Sequence, residues 1–121
     1  MEYWLLVLGA ALSFAGMLFH GLIGGRIYSA NIGKSDLEPL GKALSYFSWQ
    51  FHSIHLFVCA VTLVYIAHNP GFAIAAYPII GINFLGAPLF LGLGFVDREL
   101  MKMPGALLMG GIAALAWFGI Q

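Results

Sequence analysis

The sequence has few charged residues, only one cysteine and no acidic residue inside any of its long apolar segments. Charged residues make up 8% of the 121 and hydrophobic residues 61%, and five basic side chains balance five acidic ones. Soluble domains carry about 25% charged residues, so this composition is not that of a soluble globular protein. Zero net charge gives no electrostatic basis for binding a nucleic acid. The single cysteine, Cys59, excludes an internal disulfide.

Several motifs with well-understood chemistry are also missing. The chain has no phosphate-binding loop, no dinucleotide-binding glycine pattern and no H-E-x-x-H, and no serine stands in a G-x-S-x-G context. Nucleotide use, zinc proteolysis and serine hydrolysis therefore lack support. Because no Asp or Glu lies within the apolar segments, a proton-coupled carrier built on carboxylates is disfavoured.

Long apolar segments are what the sequence has in abundance. A membrane span needs about 20 apolar residues, and residues 3–25, 46–67, 72–95 and 104–120 each provide such a segment. We therefore expect an all-α fold, a single domain of residues 1–121 forming an integral membrane bundle of four antiparallel transmembrane helices in contact with lipid. Ser35 and Glu38 match a capping box, and Asp36 or Glu38 could cap instead, with Pro39 in the first turn. This pattern predicts that the second helix begins near Asp36 and extends on the cytoplasmic side.

The charge distribution predicts the orientation of this bundle. All basic residues lie in or beside the first and third connections: Arg26, Lys34, Lys42, Arg98 and Lys102. By the positive-inside rule these two connections are cytoplasmic and both termini face outward, as expected for a protein of the bacterial inner membrane. The aromatic residues agree with this orientation: Tyr3, Trp4, Tyr65 and Trp117 would form the outer belt, and Tyr28, Tyr46 and Trp49 the inner one.

The remaining connections and the last two spans contain mainly structural signals. His68–Gly71 is typical of a tight turn in which Pro70 and Gly71 supply the required dihedrals. Pro78 and Pro88 are expected to kink or loosen the third span, with Asn83 bonding a freed carbonyl or a neighbouring helix. In the fourth span small residues recur every four positions, which is typical of a helix-contact ridge, at Ala106, Gly110 and Ala114.

The second predicted span carries a polar stripe. Seven small or polar residues follow one another at alternating spacings of four and three, which places them on one helix face: Gly41, Ser45, Ser48, His52, His55, Cys59 and Thr62. The residues around this stripe are apolar, the inverse of the pattern in a soluble bundle. Polar side chains that face the interior of a membrane bundle indicate a functional region, although Ser45 and Ser48 are expected only to hydrogen-bond between or within helices.

The first predicted span adds a third histidine at a similar depth. Small residues on one face, Gly9, Ser13, Gly16 and Gly24, surround His20, and the helical rise puts His20, His52 and His55 near the cytoplasmic leaflet. These three histidines are the candidate cofactor ligands. Cys59, one turn beyond His55, is a fourth candidate metal ligand, and the alternative role of a small buried packing residue is the one expected of it. Met17 adds a thioether nearby.

The candidate ligands are compatible with several cofactors and several functions. Two imidazoles on facing helices would suit haem b, whereas three histidines with Cys59 or Met17 would suit copper or zinc. Haem is slightly favoured, and electron transfer is the expected role. The main alternative is a cofactor-free accessory subunit that assembles with another membrane subunit or with itself, and a small oligomeric channel or carrier is the third. The layout of four short helices, the first with a small-residue face that ends in a histidine, resembles that of small four-helix membrane cytochromes and copper-resistance membrane domains.

Overall fold

The computed structural model describes all 121 residues and contains four helices and no strand. We number them α1 (Tyr3–Gly33), α2 (Pro39–His68), α3 (Pro70–Val96) and α4 (Gly105–Gly119). The first three are long and apolar enough to cross a membrane, which confirms the prediction of an all-helical chain with membrane-compatible helices. At 15 residues, α4 is about 22 Å long, shorter than a hydrocarbon core of about 30 Å.

Helices α1 and α4 each pack against two others. Helix α1 packs along both α2 and α4, and α4 in turn packs along α3. Small residues allow this close packing: a Cβ added at Gly9 would lie 3.2 Å from Leu63 of α2, and one added at Gly16 would lie 2.9 Å from Leu108 of α4. By contrast α2 and α3 make little contact along their lengths, so a cleft separates them.

The fully buried core lies toward the end of the bundle where α1 begins. Its largest side chains belong to α1, α2 and α4: Leu6, Leu56, Leu63, Ile66 and Ile112. At this end the backbone N–H of Glu2 donates to the carbonyl of Gly119 at 2.8 Å, and the Tyr3 hydroxyl lies 3.4 Å from His68 Nε2. The start of α1 therefore lies beside the ends of α2 and α4.

The predicted capping box is wrong. The hydroxyl of Ser35 donates to the carbonyl of Ile32 at 2.7 Å, so it closes α1 and does not begin α2. Helix α2 begins at Pro39, and Glu38 precedes it in an extended conformation without a side-chain capping bond. A residue before proline is disfavoured in the helical region, which explains why α2 starts no earlier. Helix α1 itself continues beyond the predicted span, to Gly33.

A tight turn joins α2 and α3, as the sequence predicts. The Phe72 N–H donates to the carbonyl of Asn69 at 3.0 Å, and the 3₁₀ segment Pro70–Ala75 is kinked at Phe72 before it continues into the α-helix Ala76–Val96. No glycine has a positive φ, so Gly71 does not supply a special dihedral. Pro78 lies in the first turn of the α-helical part, where proline is tolerated, and Pro88 is the proline inside the helix.

Candidate metal site

A π-helical segment in α1 sets the position of His20. The helix is α-helical over Tyr3–Leu18, π-helical over Phe19–Gly24 and α-helical again over Gly25–Gly33. Hydrogen bonds in a π-helix run from residue i to residue i+5, which shifts the ladder, and such segments occur often at functional sites. Here the His20 carbonyl accepts the indole N–H of Trp49 at 3.0 Å.

Trp49 is held between two rings of α1. Its ring centre lies 4.1 Å from that of His20 and 4.3 Å from that of Tyr28, and both pairs are nearly parallel. A Cβ added at Gly24 would lie 2.8 Å from Cζ2 of Trp49, so the close approach of the indole requires glycine there. Trp49 is half-buried, and its indole N–H serves helix packing, a role that the prediction of an interfacial belt residue did not include.

The structure brings the three predicted histidines into one row. The ring centres of His20 and His52 are 4.7 Å apart at 75°, and those of His52 and His55 are 5.6 Å apart. Nδ1 of His20 lies 3.0 Å from Oγ of Ser53, which leaves Nε2 free. Metal-binding histidines commonly use their second nitrogen for such an orienting bond. Ser53 lies one position outside the predicted stripe and was not predicted as part of the site.

His52 lines two neighbouring cavities. The first, which we call the connection cavity, has a volume of about 480 Å³ and opens beside the segment between α3 and α4. Its wall combines imidazole, indole, phenyl and thioether groups, contributed among others by His20, Trp49, His52, Phe90, Met103 and Met109. This volume lies within the range of small-molecule and cofactor pockets, about 300–1,000 Å³.

The second cavity, the cleft cavity, lies between α2 and α3 and has a volume of about 390 Å³. Ser48, His52 and His55 line it from α2, and Met109 of α4 closes its back. Met109 is thus the one residue besides His52 that lines both cavities. Met109 was not predicted, because the fourth helix shows mainly structural signals in the sequence. Met17, which was predicted near the site, packs against the apolar core.

Cys59 lies deeper in the bundle, next to Asn83 of α3. Its Sγ is 3.5 Å from Nε2 of His55 and 3.6 Å from Nδ2 of Asn83. The same Nδ2 donates to the carbonyl of Ile79 at 2.9 Å, which fixes the orientation of the amide. Asn83 is fully buried, and its Oδ1 has no hydrogen-bond partner. Of the two predicted partners of Asn83, the neighbouring helix is confirmed by the contact with Cys59 of α2. The carbonyl that Asn83 also bonds, that of Ile79, is not one freed by proline, because Ile79 is not four residues before either proline.

The serines of the polar stripe do not form the hydrogen bonds that the sequence predicts for them. No hydrogen bond forms at Ser45 or Ser48, whereas Ser13 and Ser53, outside the stripe, are bonded. No group of three or more His, Cys, Asp or Glu side chains converges on a single point. The candidate ligands instead form two adjacent pairs, His20 with His52 and His55 with Cys59.

The spacing of the first pair can be compared with that required by each cofactor. Metal–nitrogen bonds of about 2 Å place each imidazole centre about 3 Å from the ion, so rings on opposite sides of a haem iron have centres about 6 Å apart. Two rings at a tetrahedral angle would be about 5 Å apart. The 4.7 Å between the His20 and His52 ring centres is closer to the spacing around a tetrahedral ion than to that of two axial haem ligands.

The electrostatic surroundings of the site are neutral. All acidic residues lie outside the four helices, at Glu2, Asp36, Glu38, Asp97 and Glu99. The only ion pair, between Lys102 and Glu99, is exposed. The helices themselves therefore provide no carboxylate to compensate the charge of a divalent ion. A comparison of the chain with protein families, with curated proteins and with solved structures finds no match.

Proposed function

We propose that this chain is an integral membrane protein that binds monovalent copper, Cu(I), at His20, His52 and Met109. The observation that carries the proposal is the position of His52, which lines both cavities at 4.7 Å from the His20 ring. Met109 lines the same two cavities and supplies a thioether. Soft thioether ligands together with imidazole favour Cu(I) among the metals found in proteins.

The absence of acidic groups from the helices supports a monovalent ion. The energetic cost of burying an ion rises with the square of its charge, and an uncompensated charge in an apolar interior is expensive. Neutral imidazole and thioether ligands leave Zn²⁺ or Cu²⁺ with two uncompensated charges but Cu(I) with one. For the same reason oxidation of bound Cu(I) is disfavoured, so we propose that the protein holds and transfers the ion and does not use it for electron transfer.

The test of this proposal is a titration of the purified protein in mild detergent with Cu(I) under anaerobic conditions, against a chromogenic Cu(I) chelator. We expect one ion at this site, and a loss of affinity of at least tenfold in His52→Ala and in Met109→Leu. His68→Ala and Met17→Leu are the matched controls, because His68 lies beside Tyr3 at the other end and Met17 packs in the core. Equal effects of control and site variants, or no retained copper, would overturn the proposal. An absorption spectrum of the same sample would reveal haem.

The orientation is part of the proposal. In this orientation the four helices are antiparallel, both termini lie outside, and α2 starts on the cytoplasmic side of an inner membrane. Two observations support it: the basic residues lie in the two cytoplasmic connections, and the two chain ends contact each other. Single cysteines placed at Lys34 and at Gln121 test it. A membrane-impermeant maleimide should label Gln121→Cys in intact cells and Lys34→Cys only after permeabilisation, while the buried Cys59 stays unlabelled. Labelling of both from one side would contradict the arrangement.

A second function, assembly without a cofactor, is favoured by a specific surface. An apolar groove of about 780 Å³ runs between α3 and α4 and is lined by small residues and one indole, among them Ala87, Gly110, Ala114 and Trp117. Such a groove would suit a helix of a second copy or of another membrane subunit. If this function is correct, Gly110→Leu should abolish a chemically crosslinked oligomer in native membranes, and His52→Ala should leave the metal content unchanged.

A further inference from the structure

We infer that the connection cavity binds an uncharged, membrane-soluble molecule with a planar ring and hydrogen-bonding oxygens, the chemistry of a quinone. A single copper ion would fill only a small part of its volume of about 480 Å³, which matches the pockets of small organic ligands. The inference goes beyond the proposed function and does not depend on it. Because His52 would contact either ligand, the ring and the ion should exclude each other.

The cavity lies where the bundle is not filled by its own side chains. All four helices contribute to its wall, among others through Gly16, His52, Phe90 and Leu108. The largest fully buried side chains lie toward the other end of the bundle. Protein interiors are close-packed and leave few voids larger than a water molecule, so a space of this size between four helices is typical of a ligand site.

The wall of the cavity favours an uncharged ligand. None of the 13 residues that line it is Asp, Glu, Lys or Arg. A charged group placed there would lose its hydration without gaining an ion pair, which is energetically expensive. Ligands with a carboxylate or a phosphate are therefore disfavoured.

Aromatic side chains in the wall favour a planar ring. Phe19, Trp49 and Phe90 line the cavity, and Met103 adds a thioether. Aromatic rings pack well against one another in stacked or edge-to-face arrangements, and thioethers make favourable contacts with ring edges. The position of Phe90 depends on Gly105, because a Cβ at Gly105 would overlap the Phe90 ring.

Two imidazoles supply the polar contacts of the cavity. Nδ1 of His20 is engaged by Ser53, which leaves Nε2, and His52 forms no hydrogen bond within the protein while lining the cavity. A neutral imidazole has one N–H donor and one acceptor nitrogen. It can therefore bind the carbonyl oxygen of a quinone as well as the hydroxyl of the corresponding quinol.

The rim of the cavity indicates entry from the bilayer. Ala15 and Phe19 line it from α1, and both are exposed, Phe19 to 50%. They lie in a helix that is long and apolar enough to cross a membrane, so in a membrane their exposed surface faces lipid. A ligand dissolved in the lipid reaches the cavity without passing through water, which favours a ring that carries an apolar tail.

The test is fluorescence quenching by a p-benzoquinone with a decyl chain, added to the metal-free protein in mild detergent. In the variant Trp4→Phe, Trp117→Phe the remaining tryptophan, Trp49, reports from the cavity wall, and its quenching should saturate at one quinone per chain. The matched reporter is Trp4→Phe, Trp49→Phe, which keeps Trp117 in the groove between α3 and α4. Its quenching should rise linearly, as expected for a quinone that is only dissolved in the micelle. Linear quenching of both reporters would overturn the inference.

Substitutions in the Trp49 reporter locate the bound quinone. Ala15→Phe narrows the entrance and should weaken binding roughly tenfold or more, whereas Ala11→Phe, one turn earlier on the exposed side of α1 and outside the cavity wall, should not. His52→Leu removes the imidazole and should weaken binding about two- to tenfold. Equal affinity in all three variants would place the quinone elsewhere and overturn the inference. Since no metal is present, that result would leave the copper proposal standing, and a failure to bind copper would leave the quinone site standing.

Discussion

Replacement of Trp49 by phenylalanine isolates the hydrogen bond that joins α2 to the π-helical segment of α1. Phenylalanine keeps a flat ring that can stack between His20 and Tyr28, whose ring centres lie 4.1 and 4.3 Å from that of Trp49. It has no N–H to donate to the His20 carbonyl, which the indole reaches at 3.0 Å. The variant therefore leaves a carbonyl inside the bundle without its side-chain partner.

The magnitude follows from the environment of that carbonyl. Loss of one partner of a buried hydrogen bond costs about 1–3 kcal/mol, whereas side-chain hydrogen bonds between membrane helices average about 0.6 and reach about 1.7 kcal/mol. Because Trp49 is half-buried, the loss should lie where these two ranges meet. We expect Trp49→Phe to lower the free energy of unfolding by about 1–2 kcal/mol, a factor of about 5–30 in the equilibrium constant.

Equilibrium unfolding in mixed micelles, followed by far-ultraviolet circular dichroism, measures this loss. Trp4→Phe is the matched control, because Trp4 is 72% exposed at the start of α1 and should change stability by no more than about 0.5 kcal/mol. In the wild type, the indole N–H of Trp49 should exchange with solvent deuterium far more slowly than that of Trp4. Equal stability losses in the two variants, together with equally fast exchange, would refute the hydrogen bond and the helix geometry built around it.

Two further substitutions test the packing and the orientation of the histidine cluster. Gly24→Ala would bring a Cβ to 2.8 Å from Trp49 and should destabilise the protein by about 1–3 kcal/mol. The control is Gly92→Ala, whose Cβ meets nothing within 4 Å and which should be neutral or stabilising by up to about 1 kcal/mol. The same unfolding assay measures both variants. Ser53→Ala removes the partner of His20 Nδ1 and should weaken Cu(I) binding about tenfold or more without a change in stoichiometry, as measured by chelator competition.

The helices and the polar stripe could be predicted because both depend on local sequence. The length of an apolar run determines which segments can span a membrane, and the spacing of His52, His55 and Cys59 determines that they share a helix face. The π-helical segment could not be predicted in this way, because it depends on how closely α2 approaches α1. The sequence shows Gly24 on the same small-residue face as His20. No local pattern indicates that the indole of Trp49 packs against Gly24.

The pairing of helices was equally beyond the sequence. Periodicity shows which face of a helix is polar but not which helix that face meets. Helices α2 and α3 are joined by a single residue, Asn69, yet they diverge, and the cleft between them brings Met109 of α4 next to His52. Ser53 was missed for a related reason: its position, one residue from the stripe, rotates it by about 100°, toward α1 and His20.

One substitution distinguishes a structural role of His52 from a binding role. Leu56 and Leu63 of α2 are fully buried, whereas His52 lies between His20 of α1 and the cleft and has no hydrogen-bond partner. A polar side chain in apolar surroundings without a hydrogen-bond partner costs free energy, so a histidine with no structural role should be less stable at this position than a leucine. We therefore expect His52→Leu to raise the free energy of unfolding of the metal-free protein by about 1 kcal/mol while it removes Cu(I) binding at that site. If His52 instead stabilises the bundle through its neighbours, the same variant will be less stable than the wild type, and the structural role will be the correct one.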